Sequence, residues 1–134
     1  MRILVAEDDM GSRIYMQHFM KGYGACDLTS DGIETVDAFL LAWEEGEPYD
    51  LICLDIMMPK LDGLKALKII RDLEKKRQVS ESQLAKVIMT TALDEKQTAG
   101  KAFELGCQAF IPKPIDQKYL KKVLAEMGFA EVPT

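Results

Sequence analysis

A single histidine and three cysteines in 134 residues leave little room for imidazole or thiolate chemistry. No Cys/His spacing matches a zinc site. An odd cysteine count provides no disulfide framework and fits a reducing compartment. His18 falls beside Phe19 inside a predicted helix and is an ordinary helix residue. Cys26 and Cys53 sit in apolar runs and are expected to be small buried hydrophobes, whereas Cys107, in the turn Gly106-Cys107-Gln108, is placed at the surface. No apolar stretch approaches the ~20 residues that span a bilayer, and no basic segment followed by an apolar one opens the chain. Membrane insertion is therefore not expected, and a cytoplasmic location is. Basic residues are outnumbered, 17 against 22 acidic ones, for a net charge of −5. Nucleic-acid binders need the opposite balance to displace counterions from phosphates, so direct nucleic-acid binding is not expected. Lys118, Lys121 and Lys122 are read as the solvated face of a helix. There is no repeat, low-complexity tract or Pro/Ser-rich linker. With 48% apolar and 29% charged residues, the chain has the composition of one globular domain.

What is present is a set of short apolar runs that stop at chemically capable residues. Arg2–Ala6 runs into Glu7-Asp8-Asp9, and Leu51–Leu54 into Asp55. Val87-Ile88-Met89 ends at Thr90-Thr91, and Ala109–Pro112 at Lys113-Pro114. Runs this short, bounded by polar or turn residues and alternating with helical patterns, predict buried parallel strands. Parallel strands point their carboxyl ends at one edge, where ligands of such sheets bind. The acids, the hydroxyl and the ammonium should therefore converge there.

Between the strands the spacing predicts a helix over 12–21, with Ser12 a candidate cap and Met16, Phe19, Met20 and Tyr23 on one apolar face. Ala25–Thr29 is a second strand. Ser30-Asp31-Gly32 opens a long helix with Ile33, Val36, Phe39, Leu40 and Trp43 turned inward. A helix from Leu64 to Lys76 buries Leu64, Leu67, Ile70 and Leu73 and ends in a solvated Glu74-Lys75-Lys76-Arg77. A strand over 86–90, a helix over 97–105 and a strand over 108–111 follow, and Asp116 caps a last helix to Met127. Five strands alternating with five helices define the fold class: α/β, a doubly wound parallel sheet with helices on both faces.

Asp55 closes a strand of buried type, where acids are rarely placed for packing. A carboxylate there can attack phosphorus and form an aspartyl phosphate. Glu7 and Asp8, gathered beside it, would repel it unless a cation sat among them. Mg²⁺ suits that position, since it takes oxygen ligands and joins one or two carboxylates to a phosphate. Thr91 and Lys113 would contact the oxygens of the phosphorylated acid. Thr90 and Thr91 cannot both face the pocket, because side chains alternate along a strand.

Four segments, ILVAEDD, DLICLDIMMPKLDG, VIMTTA and FIPKPID, lie in this order from Arg2 to about Met127. With them the chain resembles the receiver domain of two-component response regulators, flavodoxin-like in topology and here of single-domain type. The resemblance implies a receiver over residues 1–128 and a C-terminal tail over 129–134. It further implies Asp55 as phosphoacceptor, Glu7 and Asp8 as the acidic pair around Mg²⁺, and Met57 as donor of a backbone carbonyl to that ion. Thr91 is implied as the switch hydroxyl, Phe110 as the aromatic that reorients with it, Lys113 as the phosphate-facing lysine, and Pro59 and Gly63 as the tight loop after the acceptor. The implied partners are a sensor histidine kinase or histidine phosphotransfer protein upstream and a downstream protein effector. The latter would meet a surface of the fourth helix, fifth strand and fifth helix.

The module would catalyse only its own phosphorylation and dephosphorylation and would not be a turnover enzyme. Segments 78–83 and 43–48 look longer than in the most compact receivers. Met57 and Leu93, apolar where water would reach the acyl phosphate, imply a slowly hydrolysing phospho-form. Three alternatives stay in view: the receiver could be the N-terminal piece of a longer regulator, a phosphohydrolase of the haloacid-dehalogenase type, or a flavin carrier. The hydrolase would need a second Asp where Met57 stands. The flavin carrier would need a Ser/Thr/Gly-rich phosphate loop where the acidic trio stands.

Overall fold

The structure, a computed structural model, describes residues 1–92 and 96–133. Five parallel strands, β1 (Arg2–Ala6), β2 (Ala25–Thr29), β3 (Leu51–Asp55), β4 (Lys86–Thr91) and β5 (Ala109–Pro112), form one sheet in the order β2-β1-β3-β4-β5. Helices α1 (Met10–Met20), α2 (Gly32–Glu44), α3 (Gly63–Lys76), α4 (Lys96–Glu104) and α5 (Gln117–Glu126) alternate with them, and a 3-10 turn at Glu81–Gln83 precedes β4. The doubly wound α/β expectation holds.

Alternation along the strands builds two cores. Ile3, Val5, Leu51, Cys53, Ile88 and Ile111 pack with α1 and α5 through Met16, Phe19, Met20, Leu120, Val123 and Leu124. Leu4, Ala6, Ile52, Leu54, Val87 and Met89 face the other way, onto α2, α3 and α4 through Phe39, Ala42, Ala66, Leu67, Ile70 and Ala102. The sequence positions three helices on one face and two on the other, which leaves all five strand ends free at one edge.

Four local expectations are corrected. The first helix starts at Met10: its cap is Asp9, whose Oδ2 accepts the Ser12 N–H at 2.8 Å, so Ser12 receives the cap instead of forming it. In α2 the buried side is Gly32, Thr35, Phe39 and Ala42, while Ile33 is 49% exposed. Thr35 is admitted to the core because its hydroxyl donates to the Asp31 carbonyl (2.7 Å) and lies 2.8 Å from the Thr29 hydroxyl. Glu74 is 2% exposed, not solvated. It pairs with Arg71 at 2.6 Å and accepts the Ala85 N–H at 2.8 Å. Cys107 is buried rather than at the surface, and that burial pushes its thiol up to about 11, which keeps it protonated and inert.

Candidate functional site

The strand order reverses between β1 and β3, since the chain winds outward to β2 on one side and to β4 and β5 on the other. Such a reversal opens a crevice at the carboxyl ends of the two neighbouring strands. Glu7 and Asp8 follow β1 and Asp55 ends β3, so the acids line that crevice from both sides. One carboxylate oxygen from each lies within 4.8 Å of the others.

Glu7 and Asp55 are buried and Asp8 is exposed, which leaves the cluster open to solvent on the Asp8 side. Arg13, one turn into α1, donates to the Glu7 carbonyl at 2.9 Å and fixes the turn that carries both acids. The Glu7 carboxylate in turn accepts the Asp9 N–H at 3.1 Å.

Lys113 enters from the end of β5, where its N–H donates to the Thr91 carbonyl at 2.8 Å. The peptide bond between Lys113 and Pro114 is cis. The Lys113 Nζ lies 2.5 Å from Glu7 Oε2 and 3.2 Å from Asp55 Oδ2, bridging the two buried acids. Burial alone would lower its pKa, but the bonds to Glu7 and Asp55 hold it above the ordinary value. Asp55 is pushed up to about 6, first by burial and then by repulsion from Glu7. Lys113 and the Met57 N–H, 3.3 Å from Asp55 Oδ1, oppose that rise.

One ammonium therefore offsets only part of three carboxylates. The donor set is all oxygen, half open and still net negative, which suits a hard divalent cation that keeps some of its waters.

The remaining expected residues fall around this cluster. Thr91 ends β4 fully buried, and Thr90 pairs with Asp55 across the β3–β4 ladder. Phe110, opposite Met89 on β5, packs partly buried against the α2–α3–α4 core. Met57 is 57% exposed at the mouth of the site. Gly63 sits directly against the acceptor strand: a Cβ there would lie 2.2 Å from the Asp55 carbonyl oxygen. Leu93 lies outside the described residues. Sequence reasoning missed Arg13, whose only signal was a cation one helical turn after the acids. It also missed that Lys113 lies nearer to Glu7 than to Asp55, a matter of side-chain reach that spacing does not encode.

A doubly wound parallel domain with an acidic pocket and a lysine at the strand-order reversal defines a class of α/β folds that bind ligands at the carboxyl ends of their strands. Within that class, the chain belongs to the response regulator receiver domain family, whose model matches residues 3–125. It is similar to the chemotaxis protein CheY of Treponema pallidum, 33% identical over 128 residues that cover 94% of this chain and 81% of that one. Histidine protein kinase 1 of Candida albicans is 34% identical over 130 residues, 96% of this chain but 5% of the kinase's length.

Among solved structures, the CheX-CheY-BeF3-Mg²⁺ complex from Borrelia burgdorferi aligns with a TM-score of 0.79 and 28% identity, over 94% of this chain and 88% of that one. The co-crystal of the Saccharomyces cerevisiae phosphotransfer protein Ypd1 with the receiver domain of Ssk1 gives 0.81 and 27%, over 96% and 88%. The chain is a receiver of two-component phosphorelay signalling, a signalling module of a kind that pairs with histidine kinases or phosphotransfer proteins. Among the described residues no helix is long and apolar enough to cross a membrane.

Proposed function

We propose that Asp55 accepts a phosphoryl group from the phosphohistidine of a sensor kinase or phosphotransfer protein. An Asp55 carboxylate oxygen attacks phosphorus as the phosphorus–nitrogen bond of the donor breaks, and the imidazole leaves. The observation that carries this reading is the Glu7–Asp8–Asp55 carboxylate cluster, bridged by Lys113, at the strand-order reversal. Glu7, Asp8, Asp55 and the Met57 carbonyl would hold Mg²⁺, which would supply charge neutralisation for the phosphoryl oxygens. Lys113, freed from part of its pairing with Glu7, takes another of those oxygens, and the Thr91 hydroxyl a third.

The partner-facing consequence is a change at α4, β5 and α5. Phe103 and Tyr119 stand exposed there, beside Phe110 and Val123, around a cavity of about 340 Å³. A downstream protein effector reads that face, and Thr91 with Phe110 couples it to the acceptor. The module turns over no substrate beyond its own phosphate and works in the cytoplasm. Residues 1–128 form the receiver and 129–134 its tail.

Incubation with Mg²⁺ and acetyl phosphate should add one phosphoryl group to the intact mass, and a chelator should prevent it. A chain that takes up neither phosphate nor beryllofluoride would be a constitutive binding module instead.

The phospho-form is expected to be long-lived, because the exposed thioether of Met57 cannot orient an attacking water. Met57→Asn, which supplies an amide at the mouth of the site, should shorten the half-life several-fold in a mass-resolved decay. Rapid loss in the wild type, unaltered by Met57→Asn or Leu93→Glu, would remove the idea.

A further inference from the structure

The loop from Ile56 to Asp62, between β3 and α3, carries Met57 past the acceptor and then touches the N-terminus of α2 at three points. Gly32, the first residue of α2, has no room for a side chain. A Cβ there would lie 1.9 Å from the Leu61 carbonyl oxygen, 2.7 Å from its carbonyl carbon and 2.6 Å from its Cβ. The Gly32 N–H points at the Pro59 carbonyl at 3.5 Å, the outer limit of a hydrogen bond.

Lys60, at φ 68°, reaches back to Asp31, its Nζ 3.6 Å from Oδ2. A non-glycine residue in that left-handed region is strained, so the surroundings hold the loop in a path it would not choose alone. Asp31 is itself fixed, its Oδ1 accepting the Glu34 N–H at 2.8 Å as the cap of α2.

The far end of the loop is equally confined. The Gly63 N–H donates to the Ile56 carbonyl at 2.8 Å, and a Cβ on Gly63 would strike the Asp55 carbonyl oxygen. The loop is thus wedged between the acceptor strand and the first turn of α2. Within it the Leu61 N–H donates to the Pro59 carbonyl at 2.8 Å and the Met58 N–H to the Ile56 carbonyl at 3.1 Å, so a push on Leu61 is passed back along the loop toward Met57.

We propose that Gly32 is a positioning residue for the cation site: the close seat of the α2 N-terminus on Leu61 sets the path of residues 57–61 and with it the affinity for Mg²⁺. This rests on the reading above, in which the Met57 carbonyl and the acidic cluster hold the ion. A methyl group at Gly32, 1.9 Å from the Leu61 carbonyl oxygen, must drive that carbonyl away by about 1.5 Å to reach an ordinary contact. Mg²⁺ demands near-ideal octahedral geometry at roughly 2.0–2.1 Å and tolerates little displacement of a ligand. Residues that orient metal ligands without touching the metal commonly alter affinity by about 10–100-fold.

The test compares Gly32→Ala with Gly100→Ala, whose added Cβ would meet nothing within 4 Å. Each is titrated with Mg²⁺ by calorimetry and by amide NMR. Gly32→Ala is expected to bind about tenfold more weakly or worse, with shifted Met57–Leu61 amides already in the metal-free protein, while Gly100→Ala matches the wild type. A folded Gly32→Ala with wild-type affinity overturns the proposal and leaves the phosphoacceptor reading standing. A wild-type protein that binds no Mg²⁺ overturns both.

Coupling is reciprocal, so the wild type provides a reading that needs no variant. Mg²⁺ should also shift the Gly32 and Ile33 amides. Amides there that stay still while Met57 moves overturn the seat.

Discussion

Asp55→Asn should take up no phosphoryl group from acetyl phosphate in the presence of Mg²⁺, while the wild type gains one. The effect is all or none, because an amide oxygen is too weak a nucleophile to displace acetate from phosphorus. An adduct of equal yield on the variant would assign the acceptor to another carboxylate, Asp8 being the exposed member of the cluster.

The same substitution should raise the melting temperature of the metal-free protein at neutral pH, for a reason already visible in the site. Burial and the nearby Glu7 push the Asp55 carboxyl from 3.8 to about 6. Between those values the folded protein keeps a proton that the unfolded chain has lost, so Asp55 makes the protein progressively less stable as pH climbs through that window. Above it the charged form is present in full and so is the penalty. Asn carries no charge, and its stability profile should be flatter over the same window. Mg²⁺, by neutralising the cluster, should stabilise the wild type and do little for the variant. Equal melting temperatures at neutral pH without metal would mean that Lys113 already offsets the repulsion.

Function is thus maintained against stability at this edge of the sheet. Glu7 and Asp55 are held together with one lysine where a lone fold would choose apolar residues, and on the proposed reading the bound cation would make up the deficit.

How legible all this was in the sequence depended on whether a feature is written along the chain or across it. Strands β1, β3 and β4 were readable because both faces are buried, so Ile3–Ala6, Leu51–Leu54 and Val87–Met89 are unbroken apolar runs with the polar residue at the end. The convergence of Glu7, Asp8, Asp55, Thr91 and Lys113 at one edge followed from parallel topology alone. Helix faces were harder. In α2 the strongly apolar Ile33 lies in solvent while Thr35 enters the core. Two oxygens make Thr35 acceptable there, one of them on Thr29 of β2, and hydropathy spacing registers neither. The seat of Gly32 on Leu61 was equally silent, since a glycine after an Asp reads as a helix start whatever lies above it.

Glu74 was the largest misreading, and it carries the second large expected effect. Three neighbouring charges, Lys75, Lys76 and Arg77, made the end of α3 look solvated. Yet the Glu74 carboxylate turns inward, with one oxygen on Arg71 and the other on the Ala85 N–H ahead of β4. Arg71 continues the chain of contacts to the Gly106 carbonyl at 2.8 and 3.2 Å and to Gln108 Oε1 at 3.3 Å. Gln108 Oε1 in turn accepts the Val87 N–H at 2.6 Å. One buried pair thereby ties α3 to the start of β4 and to the turn before β5. Glu74→Ala strands the Ala85 N–H and leaves Arg71 without its counter-charge. Breaking one side of a buried pair destabilises by about 3–5 kcal/mol, on the order of a 10 °C fall in melting temperature for a domain of this size. Glu74→Gln, which keeps an acceptor for one of the two donors, should lose about half as much. Both variants, kept well below their melting temperatures, should still take up phosphate at Asp55, because the network lies behind the sheet edge that holds the site. Calorimetric melting decides it: a Glu74→Ala protein as stable as the wild type would mean that water replaces the carboxylate, and that the network is a surface feature after all.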